Sequence, residues 1–337
     1  MAAPPHPADR LPVGLCVFGM TYLCGMTWRD TPKANPQPLS LDDLLALAVE
    51  SGFSSLEVPL GMLPSTEAAD LRRVRAQAEA MGLRFVVPGG RVTVESLALL
   101  LEIARELGAP VLRCVLSGVL CGDRRGFPGG WPAHLEAAER ELETLVPLAE
   151  RAGVALAIEN HQDANSEDLL RLCERFSSRH LGVTLDTGNP LAVMEHPIAF
   201  AERIAPWLRH AHLKDYRVHP AENGFRLARC PLGAGVVDFG ALFRLFDAQE
   251  WPITRHMEMG ALNARQIPML EPGWWEEYPT RQTPDILPAL ELVWNQRRPS
   301  DEEWRTPFER DASGEELAAY EWEQFHESCK HLRALLA

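Results

Sequence analysis

The chain has 337 residues, with 33 Lys and Arg against 47 Asp and Glu, and a formal net charge of −14. Hydrophobic residues make up 46% and charged residues 24%, which gives enough apolar material for one large α/β barrel or two smaller domains. The acidic excess argues against nucleic acid and anionic membrane surfaces as partners, because both require clustered Lys and Arg. Small-molecule chemistry stays open.

The first ten residues, MAAPPHPADR, have no basic region ahead of an apolar run. They predict a disordered N-terminus and no secretion signal. The apolar stretch from Leu11 to Met26 is too short and too broken by glycine to span a bilayer. Seven scattered cysteines form no CxxC pair and read as reduced thiols of a cytoplasmic protein.

From there one pattern recurs: a helical segment ends in Gly and a short aliphatic run follows. The glycines are Gly52, Gly82, Gly108 and Gly153, and such residues end helices in the left-handed conformation. Strands are predicted near 12–18, 54–59, 84–88, 110–116, 154–159, 181–186, 208–213 and 253–258. Helices are predicted near 41–51, 66–81, 94–107, 133–152, 166–178, 196–206, 239–249 and 316–335, with Ser40 and Thr93 as N-caps. Eight strands alternating with eight helices predict an α/β fold, a (β/α)8 TIM barrel, as one domain over 11–337. A long insertion follows strand eight, at about 261–315, rich in Pro, Trp and Glu. Its position predicts either a cover over the barrel mouth or a homo-oligomer contact.

Strands five to eight each close on a residue able to bind a divalent ion. Strand five ends on Glu159, strand six on Asp186, strand seven on His212 and strand eight on Glu258. Neighbouring strands of a barrel bring such ends together at its C-terminal face, where active sites lie. Two Glu, one Asp and one His form a hard, oxygen-rich set suited to one Mn²⁺, Co²⁺, Mg²⁺ or Zn²⁺. Alternation along the strands places His210 and His256 deeper, as satisfied interior polar residues.

The motifs IEN (to 160), LDTGN (to 189), HLKD (to 215), LGAGVVDF (to 239) and MEMG (to 260) resemble those of the xylose-isomerase-like TIM-barrel superfamily. That group includes ketose 3-epimerases, inosose isomerases and inosose dehydratases, and endonuclease IV shares its fold. The resemblance implies Glu159, Asp186, His212 and Glu258 as metal ligands. It also implies Glu159 and Glu258 as the acid and base on opposite substrate faces. The expected function is a metal-dependent ketose or inosose isomerase or epimerase acting through an enediolate. A dehydratase or lyase on a keto sugar is the alternative, and a non-catalytic binding protein the least favoured. Arg217 corresponds approximately to a substrate-contacting Arg of the epimerases.

Asn189 stands where many members carry His, and an amide hydrogen-bonds but does not shuttle protons. His161 reads either as a proton donor to a leaving group, which favours a lyase, or as a loop histidine. Lys214 either touches substrate or pairs with a carboxylate, and Glu57 either binds a substrate hydroxyl or anchors a neighbouring strand. Trp131, Trp274 and Trp275 are candidates for the apolar wall of a sugar site.

Overall fold

A computed structural model describes residues 11–259 and 262–337. The expected disordered start and Gly260 of the MEMG motif lie outside the described residues. In chain order the strands are β1 (Gly14–Cys16), β2 (Ser55–Glu57), β3 (Arg84–Arg91), β4 (Val111–Val115), β5 (Ala155–Glu159), β6 (Leu181–Asp186), β7 (Leu208–Leu213), β8 (Asp215–Ala221), β9 (Gly224–Cys230), β10 (Thr254–Met257) and β11 (Arg265–Ile267). Eight of them close a parallel barrel in the order β1-β10-β7-β6-β5-β4-β3-β2. The protein has the (β/α)8 architecture expected from the alternation of its elements.

The helices are α1 (Leu41–Ser51), α2 (Ala68–Ala80), α3 (Val94–Leu107), α4 (Gly130–Ala152), α5 (Ser166–Phe176), α6 (Pro197–Ile204), α7 (Phe239–Asp247), α8 (Thr283–Gln296) and α9 (Gly314–Leu336). Local chemistry sets their ends. The Ser40 side chain accepts from the Asp43 N–H and Asp43 reaches back, a reciprocal cap that satisfies two otherwise orphaned donors. Thr93 caps α3 through the Ser96 N–H. Gly52, Gly82, Gly108 and Gly153 all take positive φ. The apolar faces of the helices pack on the outward-facing strand residues in one continuous core, from Leu15 and Leu56 through Leu112, Leu156 and Leu185 to Met257, while Val86, Val111 and Ala157 form a separate small apolar cluster inside the barrel.

The structure departs from the expectation between strands seven and eight and after strand eight. The run after His212 does not pass straight to α7 but folds back as the antiparallel hairpin β8–β9, with β11 added to its edge. The 262–313 segment also holds α8. These pieces share a second apolar core, in which Tyr216, Phe225 and Ile267 meet Leu191, Trp274 and Tyr278. Trp274 donates to the Cys121 carbonyl at 3.2 Å and Tyr278 to the Gly122 carbonyl at 2.7 Å. The segment therefore packs on the loops that follow β4 and β6, on the C-terminal side of the barrel. No helix of the described residues is long and apolar enough to cross a membrane.

Candidate metal centre

Register brings the strand ends side by side. Asp186 pairs with His212, and His212 with His256 two residues below Glu258. The motif residues sew these ends together. Asn160 accepts from the Asp186 N–H at 2.6 Å and donates to the Asp186 carbonyl at 3.2 Å. Thr187 bridges the Lys214 backbone, donating at 2.7 Å and accepting at 2.8 Å. Gly188 leaves space that a Cβ would fill, at 2.4 Å from the Tyr216 ring.

One ligating atom each of Glu159, Asp186 and His212 lie within 4.8 Å of one another, all three residues buried. Glu258 joins them from just beyond β10: its Oε2 lies 2.8 Å from His212 Nδ1, without a hydrogen bond to it. Asp186 Oδ1 and His212 Nδ1 are buried and have no hydrogen-bond partner. Such orphans are costly, and a cation placed among these oxygens satisfies both. Lys214 shows the same demand. Its ammonium contacts Asp186 Oδ2 and lies 3.0 Å from Glu258 Oε1. The four residues fit a divalent ion by donor type, by proximity and by these unpartnered atoms.

A second layer fixes the first. Glu57, fully buried, takes Arg113 Nε at 2.8 Å and His212 Nε2 at 2.7 Å. Burial alone would raise the Glu57 carboxyl, but His212 and Arg113 outweigh it and hold it well below the usual range. Glu57 accepts from His212 Nε2 and so turns Nδ1 toward Asp186 and Glu258. Burial alone would lower the His212 pKa, but Glu57, Cys16 and Glu258 outweigh it and hold it well above the usual range, so a divalent ion there would take the place of the Nδ1 proton. Arg113 also donates to Glu159 at 2.7 Å. Lys214, His212 and Arg229 likewise outweigh burial at Glu258 and hold its carboxyl well below the usual range. Burial dominates at Asp186 and pushes its carboxyl up to about 6.

The remaining sequence candidates fall in different places. Asn189 is buried and fully engaged: its amide donates to Asp186 Oδ2 at 2.7 Å and to the His161 carbonyl at 2.6 Å. Its oxygen accepts from the Tyr216 hydroxyl at 2.9 Å. It orients a carboxylate here instead of presenting a free group. His161, just beyond Glu159, is half-buried with Nδ1 unpartnered. Glu57 takes Arg113 at Oε1 and both His212 and His210 at Oε2, which places it to position other side chains. Arg217 donates weakly to the Ala234 carbonyl at 3.4 Å and lines a cavity toward α9. Alternation along β8 turns it away from buried Tyr216, and Arg229, from β9, is the guanidinium that reaches Glu258, at 3.2 Å. Trp131 and Trp274 are buried in packing contacts, Trp131 against Arg124 and Trp274 against Tyr278.

His210 is satisfied as expected, by Thr254 Oγ1 at 2.6 Å and Glu57 Oε2 at 3.3 Å. His256 is not: neither ring nitrogen has a partner in the barrel interior. The sequence reading missed Arg113 and Arg229. Arg113 interrupts an aliphatic strand, VLRCV, which is itself a sign of a buried ion pair. Arg229 lies on a hairpin, in a stretch to which the sequence pattern assigns no element. Asp215 braces the LGAGVVDF loop, accepting from the N–H groups of Gly233, Gly235 and Val237 at 2.9–3.1 Å. A Cβ at Gly235 would lie 2.3 Å from the Asp215 carboxylate.

Comparison with known proteins places this architecture. The family model of the xylose isomerase-like TIM barrel matches residues 45–266, and the chain belongs to that family. It is 25% identical over 253 residues to the 3-oxo-isoapionate decarboxylase of Pectobacterium atrosepticum, covering 73% of this chain and 88% of that protein. Among solved structures it resembles a D-psicose 3-epimerase determined in the presence of D-fructose, with TM-score 0.57 and 14% identity over 94% of this chain and 97% of that one. It resembles equally a xylose isomerase-like TIM-barrel protein from Mycobacterium smegmatis in complex with magnesium, with TM-score 0.57 and 16% identity over 86% and 100% of the two chains. The family contains sugar isomerases and epimerases together with related dehydratases and a decarboxylase. At these identities the solved structures establish the fold alone.

Proposed function

We propose that this protein is a divalent-metal-dependent lyase that removes CO₂ from a 3-oxo sugar acid through an enediolate. The observation that carries the reading is that both strand-end glutamates are tied to cations, Glu159 to Arg113 and Glu258 to Lys214 and Arg229. Carboxylates held in this way accept protons poorly, whereas the cations around them favour a substrate anion. Four buried carboxylates, Glu57, Glu159, Asp186 and Glu258, face three permanent cations, Arg113, Lys214 and Arg229, so with a divalent ion bound and His212 neutral the cluster carries one net positive charge.

A divalent ion held by Glu159, Asp186, His212 and Glu258 supplies Lewis acidity to the substrate carbonyl. The chain does the rest. The C–C bond to the carboxyl breaks, its electron pair enters the carbonyl to give the enediolate, and CO₂ leaves. Lys214 and Arg229 present N–H donors where negative charge accumulates. One proton must then be added to carbon, and this reading assigns its donation to His161, half-buried and unpartnered at Nδ1. Similarity to the Pectobacterium atrosepticum decarboxylase supports this reading.

Isomerisation or epimerisation is the second reading. It is favoured by one feature: Glu159 and Glu258 come from strands on either side of β6 and β7, as two-face proton transfer requires. A ¹³C NMR time course in D₂O, with Mn²⁺ and a 3-oxo sugar acid, separates the two. The lyase releases labelled CO₂, places one deuterium on the former C2 and stops on chelation. Deuterium exchange or epimerisation of a ketose with no loss of CO₂ would establish the second reading instead.

A further inference from the structure

Away from the metal centre, a cavity of about 170 Å³ opens between the β8–β9 hairpin, the 302–310 loop and α9. Four arginines line it, Arg217, Arg229, Arg305 and Arg310, against two acids, Glu302 and Glu303. Glu302 pairs with Arg298, which is outside the lining, and Glu303 with the lining Arg305, each at 2.7 Å, while Arg229 pairs with Glu258, so the positive excess rests on Arg217 and Arg310. A positive cavity in a chain of net charge −14 runs against the overall field. Two further lining residues are almost fully buried and incompletely satisfied. His219 Nδ1 and Gln324 Oε1 have no hydrogen-bond partner. Burial, then the surrounding arginines, lowers the His219 pKa despite Glu302, so the ring is neutral and offers hydrogen bonding without charge.

We propose that this cavity binds a small oxyanion, a phosphate or a carboxylate. Arginine forks match such groups with two parallel hydrogen bonds, and His219 and Gln324 supply neutral partners for attached hydroxyls or water. Arg229 is the wall shared with the metal centre, since the same side chain pairs with Glu258. The oxyanion is therefore either the acid terminus of a ligand that extends to the metal or a free anion acting through Arg229. This assignment stands on the cavity and not on the proposed reaction.

Isothermal titration of the full chain, metal-free, with inorganic phosphate tests it. One saturable site is expected. Arg310→Ala and Arg217→Ala should each weaken it about tenfold, the loss of one charge-assisted hydrogen bond, while Arg73→Ala on the far helix leaves it unchanged. Arg310 is exposed, so its variant decides the matter even where Arg217→Ala folds poorly. No heat of binding at about 10 mM phosphate, or binding indifferent to both variants, overturns the proposal. Titration with phosphogluconate then identifies the source. Tightening by Mn²⁺ for the sugar acid but not for phosphate assigns the site to a ligand that reaches the metal. Equal affinities with and without Mn²⁺ assign it to a free anion. A failed decarboxylation assay leaves the phosphate result intact, so the two claims fail separately.

Discussion

Glu57 controls which nitrogen of His212 faces the strand-end carboxylates, because its ionised oxygen holds the Nε2 proton at 2.7 Å. Glu57→Gln keeps the volume but leaves one acceptor for both Arg113 and His212. Losing such an outer-shell partner typically costs ten- to a hundredfold in metal affinity, and that drop is expected for Mn²⁺ measured by chelator competition. Unchanged affinity would remove Glu57 from the metal centre. His161 carries a separate expectation. As the proton donor, its Ala variant loses about 10²–10⁴ in kcat while Mn²⁺ affinity stays the same. A variant with normal turnover would show that the proton comes from elsewhere. At this scale much of the site was legible from the strand-end motifs. The surroundings of Arg217 were less legible, because strand alternation past His212 depends on the hairpin that carries it.

The elements differ in how plainly they were written. The barrel strands are short aliphatic runs bounded by helix-ending glycines, so their limits fell within a few residues. The β8–β9 hairpin was legible only in part: Asn223-Gly224 stands between alternating runs, but the turn itself falls on Glu222 and Asn223, with Gly224 paired to Ala221. The barrel repeat has no place for two extra strands, which masks the hairpin. The 262–313 segment was harder, because its stability comes from contacts distant in sequence. Arg124 holds it, lying between the Trp131 and Tyr278 rings at 4.3 and 4.1 Å and pairing with Asp168. Arg124→Leu should raise amide hydrogen exchange across 272–278 while the β5 and β6 amides stay protected; uniform protection would contradict this role.

Helix α9 is fastened in another way. Glu321, nearly fully buried, accepts from the Tyr22 and Leu23 N–H groups at 2.9 and 2.8 Å. Burial nevertheless pushes its carboxyl from 4.5 up to about 7. A folded value above the unfolded one means the native state keeps a proton that the unfolded chain releases. The stability this group contributes is complete below about 4.5 and is lost as pH rises through 7. Urea unfolding should show wild type losing on the order of 1–3 kcal/mol more than Glu321→Gln between pH 5 and 8. Identical pH slopes would show that the backbone donors keep Glu321 ionised throughout.

Across the whole molecule, a repeated βα unit carries candidate metal-ligating side chains to one end of the barrel, and a second apolar core built from the hairpin and the 262–313 segment packs on the same side. Net charge, strand count and family motifs were readable from the sequence because they are local or periodic. The balance of buried cations against carboxylates was not, because it depends on which strands become neighbours. The central claim is that the strand ends of β5, β6 and β7 and Glu258 hold one divalent ion. Anomalous diffraction from Mn²⁺-soaked crystals tests it most directly. The account predicts a single strong peak about 2.0–2.3 Å from Glu159, Asp186, His212 Nδ1 and Glu258, with the Lys214 ammonium moved aside. No peak there, with Lys214 still against Asp186 and Glu258, would contradict it.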